Sequence, residues 1–211
     1  SGSAGLYRLW YLFWSYRYLT GALPSDLTDR LYTIAPPIPR SGGTTIEASS
    51  VLEQLYCYTI LCTEANVLLS SSVQEEISHA VLRWRHPEGG FGRDKPTLIE
   101  TWHAVAILRA LGYLAPLEEI VSYLTTCTDP ESGFVNNPSS HPGYLEHQDG
   151  GVSLALLLEQ PVPRSDICAR FIRKCRNANG GYTRSGFGGN ATLEYTWYAI
   201  RSLCGLHNKT G

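Results

Sequence analysis

The 211-residue chain contains no methionine, and that absence carries no structural reading. Its other shortages exclude more. Charged residues make up 17% and the formal net charge is −2, so there is no basic excess of the kind that builds a nucleic-acid surface. No apolar run reaches the ~20 residues of a membrane-spanning helix. The nearest, LYRLWYLFWSYRYL at 6–19, is shorter and is interrupted by Arg8 and Arg17. It reads as an aromatic helix packed on the domain, with a peripheral membrane contact, a homo-oligomer contact or a lid over an apolar pocket as alternatives. The cysteines form no C-x-x-C pair. Cys57, Cys62, Cys127, Cys168, Cys175 and Cys204 fall in or near apolar helical patterns, so buried reduced thiols and a cytoplasmic setting are expected. The opening SGSAG reads as a tag-cleavage remnant.

What the chain does have is size, aromatic residues and repetition. Its length suffices for a substantial core, burying ~70% of the unfolded surface. Thirteen Tyr and five Trp are present. TLIETWHAVAILRALG at 97–112 is echoed by TLEYTWYAIRSLCG at 192–205, after the glycine–aromatic turns GGFG (89–92) and GGYT (180–183). Helical patterns run over 44–62, 72–85, 97–114, 116–127, 144–160, 164–176 and 192–206. A recurrence of about 50 residues, with two helices per unit and a Gly-rich loop between units, marks an array of helical hairpins that must stack to bury their apolar faces. Residues 1–43 form the aromatic helix and a Pro-rich connector, and 44–211 the repeats.

The phrases GGFG…TLIETWHAVAILRALG and GGYT…TLEYTWYAIRSLCG resemble the repeat of protein prenyltransferase β subunits and of squalene and terpene cyclases, over about 44–207. The resemblance implies an all-α fold, an α/α toroid of stacked hairpins forming a small or incomplete ring. Its inner helices would line an aromatic-walled cavity for an isoprenoid chain, with the chemistry at one mouth.

Glu47, Glu100, Glu146 and Glu194 align as the first-turn acid of successive inner helices, where the helix dipole favours a carboxylate. Thr44, Thr97 and Thr192 are natural caps. The glutamates are either helix-start architecture tied to the Gly turn or a ring of carboxylates. Three residues on stand Ser50, His103, Asp149 and Trp197, on one helical face. This register puts His103 and Asp149 at equivalent places on adjacent helices, with Glu100 and Glu146 one turn away. An imidazole among carboxylates would move protons near neutral pH. The alternative is a satisfied structural histidine. Trp102, Trp197, Tyr198, Tyr58 and Tyr144 are the candidate walls for an apolar substrate, with core packing as the alternative.

The prenyltransferases hold zinc through an Asp and a Cys two apart and a His on the next unit. Carried over, that register gives Glu47, Ser49 and His103. A serine hydroxyl in place of the thiolate is a poor ligand, so no zinc and no other cofactor are expected. The cyclase motifs D-x-D-D and Q-x-x-x-G-x-W are missing, which leaves Asp149 or Glu146 as the acid if protonation starts the reaction. Arg93, Lys95, Arg109, Arg184 and Arg201 are candidates for holding a diphosphate, and RFIRKCR (170–176) reads as a solvated face. The expected function is an enzyme that binds a flexible isoprenoid or polyene and cyclises it by acid/base chemistry. The rival is a non-catalytic binder of lipid or of a partner protein.

Overall fold

Amphipathic and wholly apolar helical segments account for most of the fold. A computed structural model of the chain describes residues 2–21, 23, 25–38, 51–113 and 117–207. Glu47, Ser49, Ser50 and Thr44, on which part of the sequence reading rests, lie outside the described residues. The helices are α1 (Gly2–Thr20), α2 (Ser25–Thr33), α3 (Val51–Glu64), α4 (Ser71–Leu82), α5 (Leu98–Ala110), α6 (Leu117–Thr126), α7 (Leu145–Leu157), α8 (Ser165–Lys174) and α9 (Leu193–His207). Two short strands, β1 (Thr128–Asp129) and β2 (Gly133–Phe134), pair antiparallel between α6 and α7. Helix α2 was not anticipated. It is short, and its apolar residues Leu27 and Leu31 repeat only once at helical spacing. Among the described residues no helix is long and apolar enough to cross a membrane.

Two helix types alternate along the repeats, and their composition explains which is which. In α4 and α8 the buried residues form one stripe, Ile77, Ala80 and Val81 in the first and Cys168, Phe171 and Ile172 in the second. Arg170, Arg173 and Lys174 face away from that stripe in α8, and Arg170 pairs with Asp166 at 3.1 Å on the surface. This is the solvated face read from RFIRKCR. In contrast α5 and α7 bury residues on all sides, among them Leu98, Thr101, Ala104 and Ile107 in α5 and Leu145, Gln148, Val152 and Leu154 in α7. A helix apolar all round belongs inside.

The chain forms two units. The first is Ser1–Trp84 with Ala106–Ala115, and the second Arg85–Val105 with Pro116–Gly211. In the first, α1 packs on α3. Leu9, Phe13, Leu27, Leu31 and Leu61 line an apolar crevice, and Trp10 meets Trp14 at 5.7 Å and Tyr56 at 5.5 Å between ring centroids. The aromatic segment therefore shares a unit with α3 and α4. In the second unit α7 packs along α9, and α8 lies against α9 and β2.

Five cysteines are buried and one, Cys204, is exposed, all as free thiols. Burial raises the thiols of Cys57, Cys168 and Cys175 to about 12, so they are packing residues in their neutral form.

Candidate functional site

The second unit contains three copies of one construction, a tight turn followed by an inner helix. Each turn opens with an antiparallel pairing to its aromatic residue: Arg85 with Phe91 and Arg176 with Tyr182 as single bridges, and Thr128 with Phe134 within the two-pair β1–β2 ladder. The first and third turns place Gly89 (φ +92) and Gly180 (φ +89) in the left-handed region. At Gly89 a Cβ would also lie 2.3 Å from the carbonyl oxygen of Glu119.

The aromatic N–H of each turn donates to a side chain of the helix that follows. Phe91 N donates to Thr101 Oγ1 at 2.9 Å, Phe134 N to Gln148 Oε1 at 2.9 Å, and Tyr182 N to Thr196 Oγ1 at 3.1 Å. These side chains bond back to the first carbonyl of their helix, on Thr97, Tyr144 and Thr192. The three bonds fix the true register. Thr101, Gln148 and Thr196 are equivalent, and so are Trp102, Asp149 and Trp197, one residue later.

This corrects the alignment built on the glutamates. Glu100 stands three residues after its cap Thr97, whereas Glu146 and Glu194 stand two after Tyr144 and Thr192. Asp149 therefore matches Trp102, and His103 matches Gly150. The signal was present in the sequence as the dipeptide Thr-Trp at 101–102 and 196–197.

Helix starts are also tied forward along the chain. Leu98 N donates to the carbonyl of Asn136 at 2.6 Å, and Leu145 N to that of Arg184 at 3.0 Å. Asn136 and Arg184 hold the same place in successive turns, so each turn satisfies an orphan N–H of the preceding inner helix. The Arg184 side chain then pairs with Glu146, its Nε at 2.7 Å, and lies 4.0 Å from the centre of the Tyr144 ring. Glu100 accepts from Thr97 Oγ1 at 3.0 Å, while its own N–H donates to that hydroxyl at 3.2 Å. Both glutamates thus hold helix starts, and Tyr144 is a stacking partner of Arg184.

The polar centre is elsewhere, at Asp149. Its carboxylate is fully buried and faces the guanidinium of Arg201 on α9. Arg201 Nε donates to Oδ1 at 2.7 Å, and a terminal nitrogen reaches Oδ2, a two-point fork. The same guanidinium lies 5.1 Å from the ring centre of Trp102 and 5.8 Å from that of Trp197, within cation–π range of both. Burial raises the Asp149 carboxyl pKa, and Arg201 offsets only part of that. Arg201 was singled out in the sequence only as a candidate diphosphate ligand.

His103 is buried beside Trp102, with ring centroids 4.7 Å apart. Burial, and then the Arg201 cation, lower its pKa to about 3. The expectation of an imidazole titrating near neutral pH among carboxylates is therefore corrected: His103 faces a cation and stays neutral. It is also ill-placed to ligate zinc, because a second cation beside Arg201 is repelled. Among the described residues no group of His, Cys, Asp and Glu is gathered as a metal site.

Of the remaining candidates, Tyr198 donates to Glu194 at 2.8 Å one turn earlier. Trp197 is partly exposed. Tyr58 belongs to the first unit, where it is buried and bonded to Cys62. Geometry thus gathers His103, Asp149, Trp102 and Trp197 around Arg201, while Glu100, Glu146, Tyr144 and Tyr198 have local partners of their own.

No curated protein matches the chain in sequence. Among solved structures it is similar to a chain of Candida albicans protein geranylgeranyltransferase-I complexed with GGPP, with a TM-score of 0.60 and 16% identity. The match covers 75% of this chain and 50% of that one, so the present chain spans about half the length of that relative, and the likeness concerns the fold. The sequence pattern of the prenyltransferase alpha-alpha toroid domain matches residues 44–210. That stretch contains the three turn-and-helix copies and every residue gathered at Arg201, and on this ground the chain belongs to the prenyltransferase α/α toroid domain family.

Proposed function

We propose that the chain binds a flexible apolar substrate, an isoprenoid or polyene, against the aromatic residues of α5 and α9 and cyclises it, with Asp149 as the acid. One observation carries the reading. The copy built on α7 buries a carboxyl group at the place where those on α5 and α9 have Trp102 and Trp197. Protonating a carbon–carbon double bond needs an acid, and burial moves the Asp149 carboxyl toward that role by raising its pKa, while the Arg201 fork pulls the other way. Arg201 then stabilises the carboxylate left behind.

In this reading the Asp149 proton and the electron pair of one double bond form a C–H bond. The cation left on the adjacent carbon is attacked by a second double bond, forming the ring C–C bond. Loss of a proton from the ring cation completes the reaction. His103 is the candidate base, since its imidazole stays neutral down to about pH 3 and a carbocation surrenders its proton to a weak base. Trp102 and Trp197 offer π faces to the cation.

A specific observation also supports non-catalytic binding. Arg201 already lies over both indoles, so the Arg201–Asp149 pair would then be a fixed polar strut under a lipid-binding surface. Incubation of the purified chain with GGPP and, separately, with squalene separates the readings. Cyclisation predicts ring products in the extract by mass spectrometry, lost at least about 100-fold in Asp149→Asn with ligand retention intact. Retention without product in the unmodified chain would establish binding alone. Neither retention nor product would overturn both.

A further inference from the structure

Charge is unevenly placed along the chain. From 160 to 193 there are six cations, Arg164, Arg170, Arg173, Lys174, Arg176 and Arg184, against one acid, Asp166, in a chain whose net charge is −2. Two of the six are matched to acids, Arg170 to Asp166 and Arg184 to Glu146. Arg164 donates to the Thr128 hydroxyl. Arg173, Lys174 and Arg176 are exposed, and among the described residues no acid pairs with them. Arg170, Arg173 and Lys174 share the face of α8 opposite its buried stripe of Cys168, Phe171 and Ile172. By contrast α4 and α6 carry Glu75, Glu76, Glu118 and Glu119 and neither Lys nor Arg. A solvated helix face in this chain therefore does not require cations. An exposed aromatic ring adjoins these ones. Gly186 packs beside Lys174, where an added Cβ would come 3.6 Å from the Lys174 Cβ. The next residue, Phe187, is 85% exposed. Gly188 and Gly189 follow at φ +95 and +121 with open space at their Cβ positions, so the loop tip stands clear of the fold.

We propose that the exposed face of α8, with the Phe187 tip, binds the surface of a bilayer that contains anionic phospholipid. Headgroup phosphates complement Arg170, Arg173, Lys174 and Arg176, and each cation near such a surface gains about fivefold in partitioning. The Phe187 ring fits the boundary between headgroups and acyl chains, just beneath the phosphates. Basic and apolar aromatic residues side by side are what an interfacial contact uses. An acidic protein segment would complement the cations equally well, but it leaves the exposed ring without a partner. A bilayer takes up both. The contact does not depend on the cyclase reading, since vesicle binding is measured without any substrate.

Co-sedimentation of the full chain with vesicles is the test. At low salt, phosphatidylcholine vesicles with about one-third phosphatidylserine should bind at least about 20-fold more tightly than phosphatidylcholine alone. Sodium chloride at about 0.5 M should release the chain, because screening then acts within a few ångströms. Arg173→Gln combined with Lys174→Gln should weaken binding about 25-fold. Both side chains are exposed, so this variant should keep the circular dichroism of the parent. Phe187→Ser should weaken binding to the same vesicles about tenfold and leave its salt dependence intact, which separates the ring from the charges. Sedimentation with neither vesicle, or equally with both, overturns the proposal. So does binding that the double variant leaves unchanged. Phe187→Ser binding as tightly as the parent overturns it in favour of an acidic protein partner, for which retention on immobilised polyglutamate is the matching readout.

Discussion

The turn-and-helix copy at α7 and the copies at α5 and α9 are built with the same hydrogen bonds and different residues. The copies at α5 and α9 write Thr-Trp where the copy at α7 writes Gln-Asp. Thr101, Gln148 and Thr196 accept the same aromatic N–H and bond back to the same helix-start carbonyl. One residue later the constraint ends, and Asp149 stands where the other two copies have Trp102 and Trp197. The lesson is that the repeated bond sets the architecture, and the adjacent position, facing the neighbouring helices, is where one unit departs from the rest.

The largest effect expected from breaking this contrast is at the departure itself. Asp149→Ala should destabilise the chain by about 3 kcal/mol in denaturant unfolding, because it strands Arg201 beside an empty, dry site. Arg201 reaches water along part of its length, which keeps the cost at the low end for a broken buried pair. Next comes the shared bond. Gln148→Ala loses partners for both Phe134 N and Phe134 O and should cost about 2 kcal/mol, and Thr101→Val about 1 kcal/mol. Thr196→Val, in a less buried setting, should cost less still. Equal losses at all three would show that burial does not grade the bond.

Titration sharpens the same comparison. Burial, and the Arg201 cation, hold His103 neutral down to about pH 3, and burial holds His147 neutral down to about pH 4. In the unfolded chain both take up protons near 6.5. Between these values the unfolded state binds more protons, so stability should fall as pH drops from 6.5, with His147 ceasing to contribute below about 4 and His103 below about 3. His103→Gln should flatten that slope in urea melts taken across the window. The smallest expected effect is at the surface. Arg184→Ala should cost under about 1 kcal/mol, because its side-chain pair with Glu146 is half in water while its carbonyl still serves Leu145.

Helix positions were legible because apolar periodicity and Gly-rich turns are local. The patterns at 97–114, 144–160, 164–176 and 192–206 correspond to α5, α7, α8 and α9 within a few residues. The site was legible only in part. His103, Asp149, Trp102 and Trp197 drew attention as departures or repeats, yet their mutual register was read from the most visible shared residue, glutamate. That residue is free to shift by one position, because a first-turn carboxylate is favourable at either. The bonded Thr and Gln cannot shift. Arg201 was legible as a residue but not as the partner of Asp149, since nothing local links residues 52 positions apart. The neutrality of His103 follows from that same distant cation.

The forward ties at Leu98 and Leu145 have a consequence for biosynthesis. Helix α5 leaves the ribosome before the carbonyl of Asn136 exists, and α7 before that of Arg184. Each helix is finished by a stretch translated later, so a transcript cut at the end of one unit damages the unit before the cut as well as removing those after it.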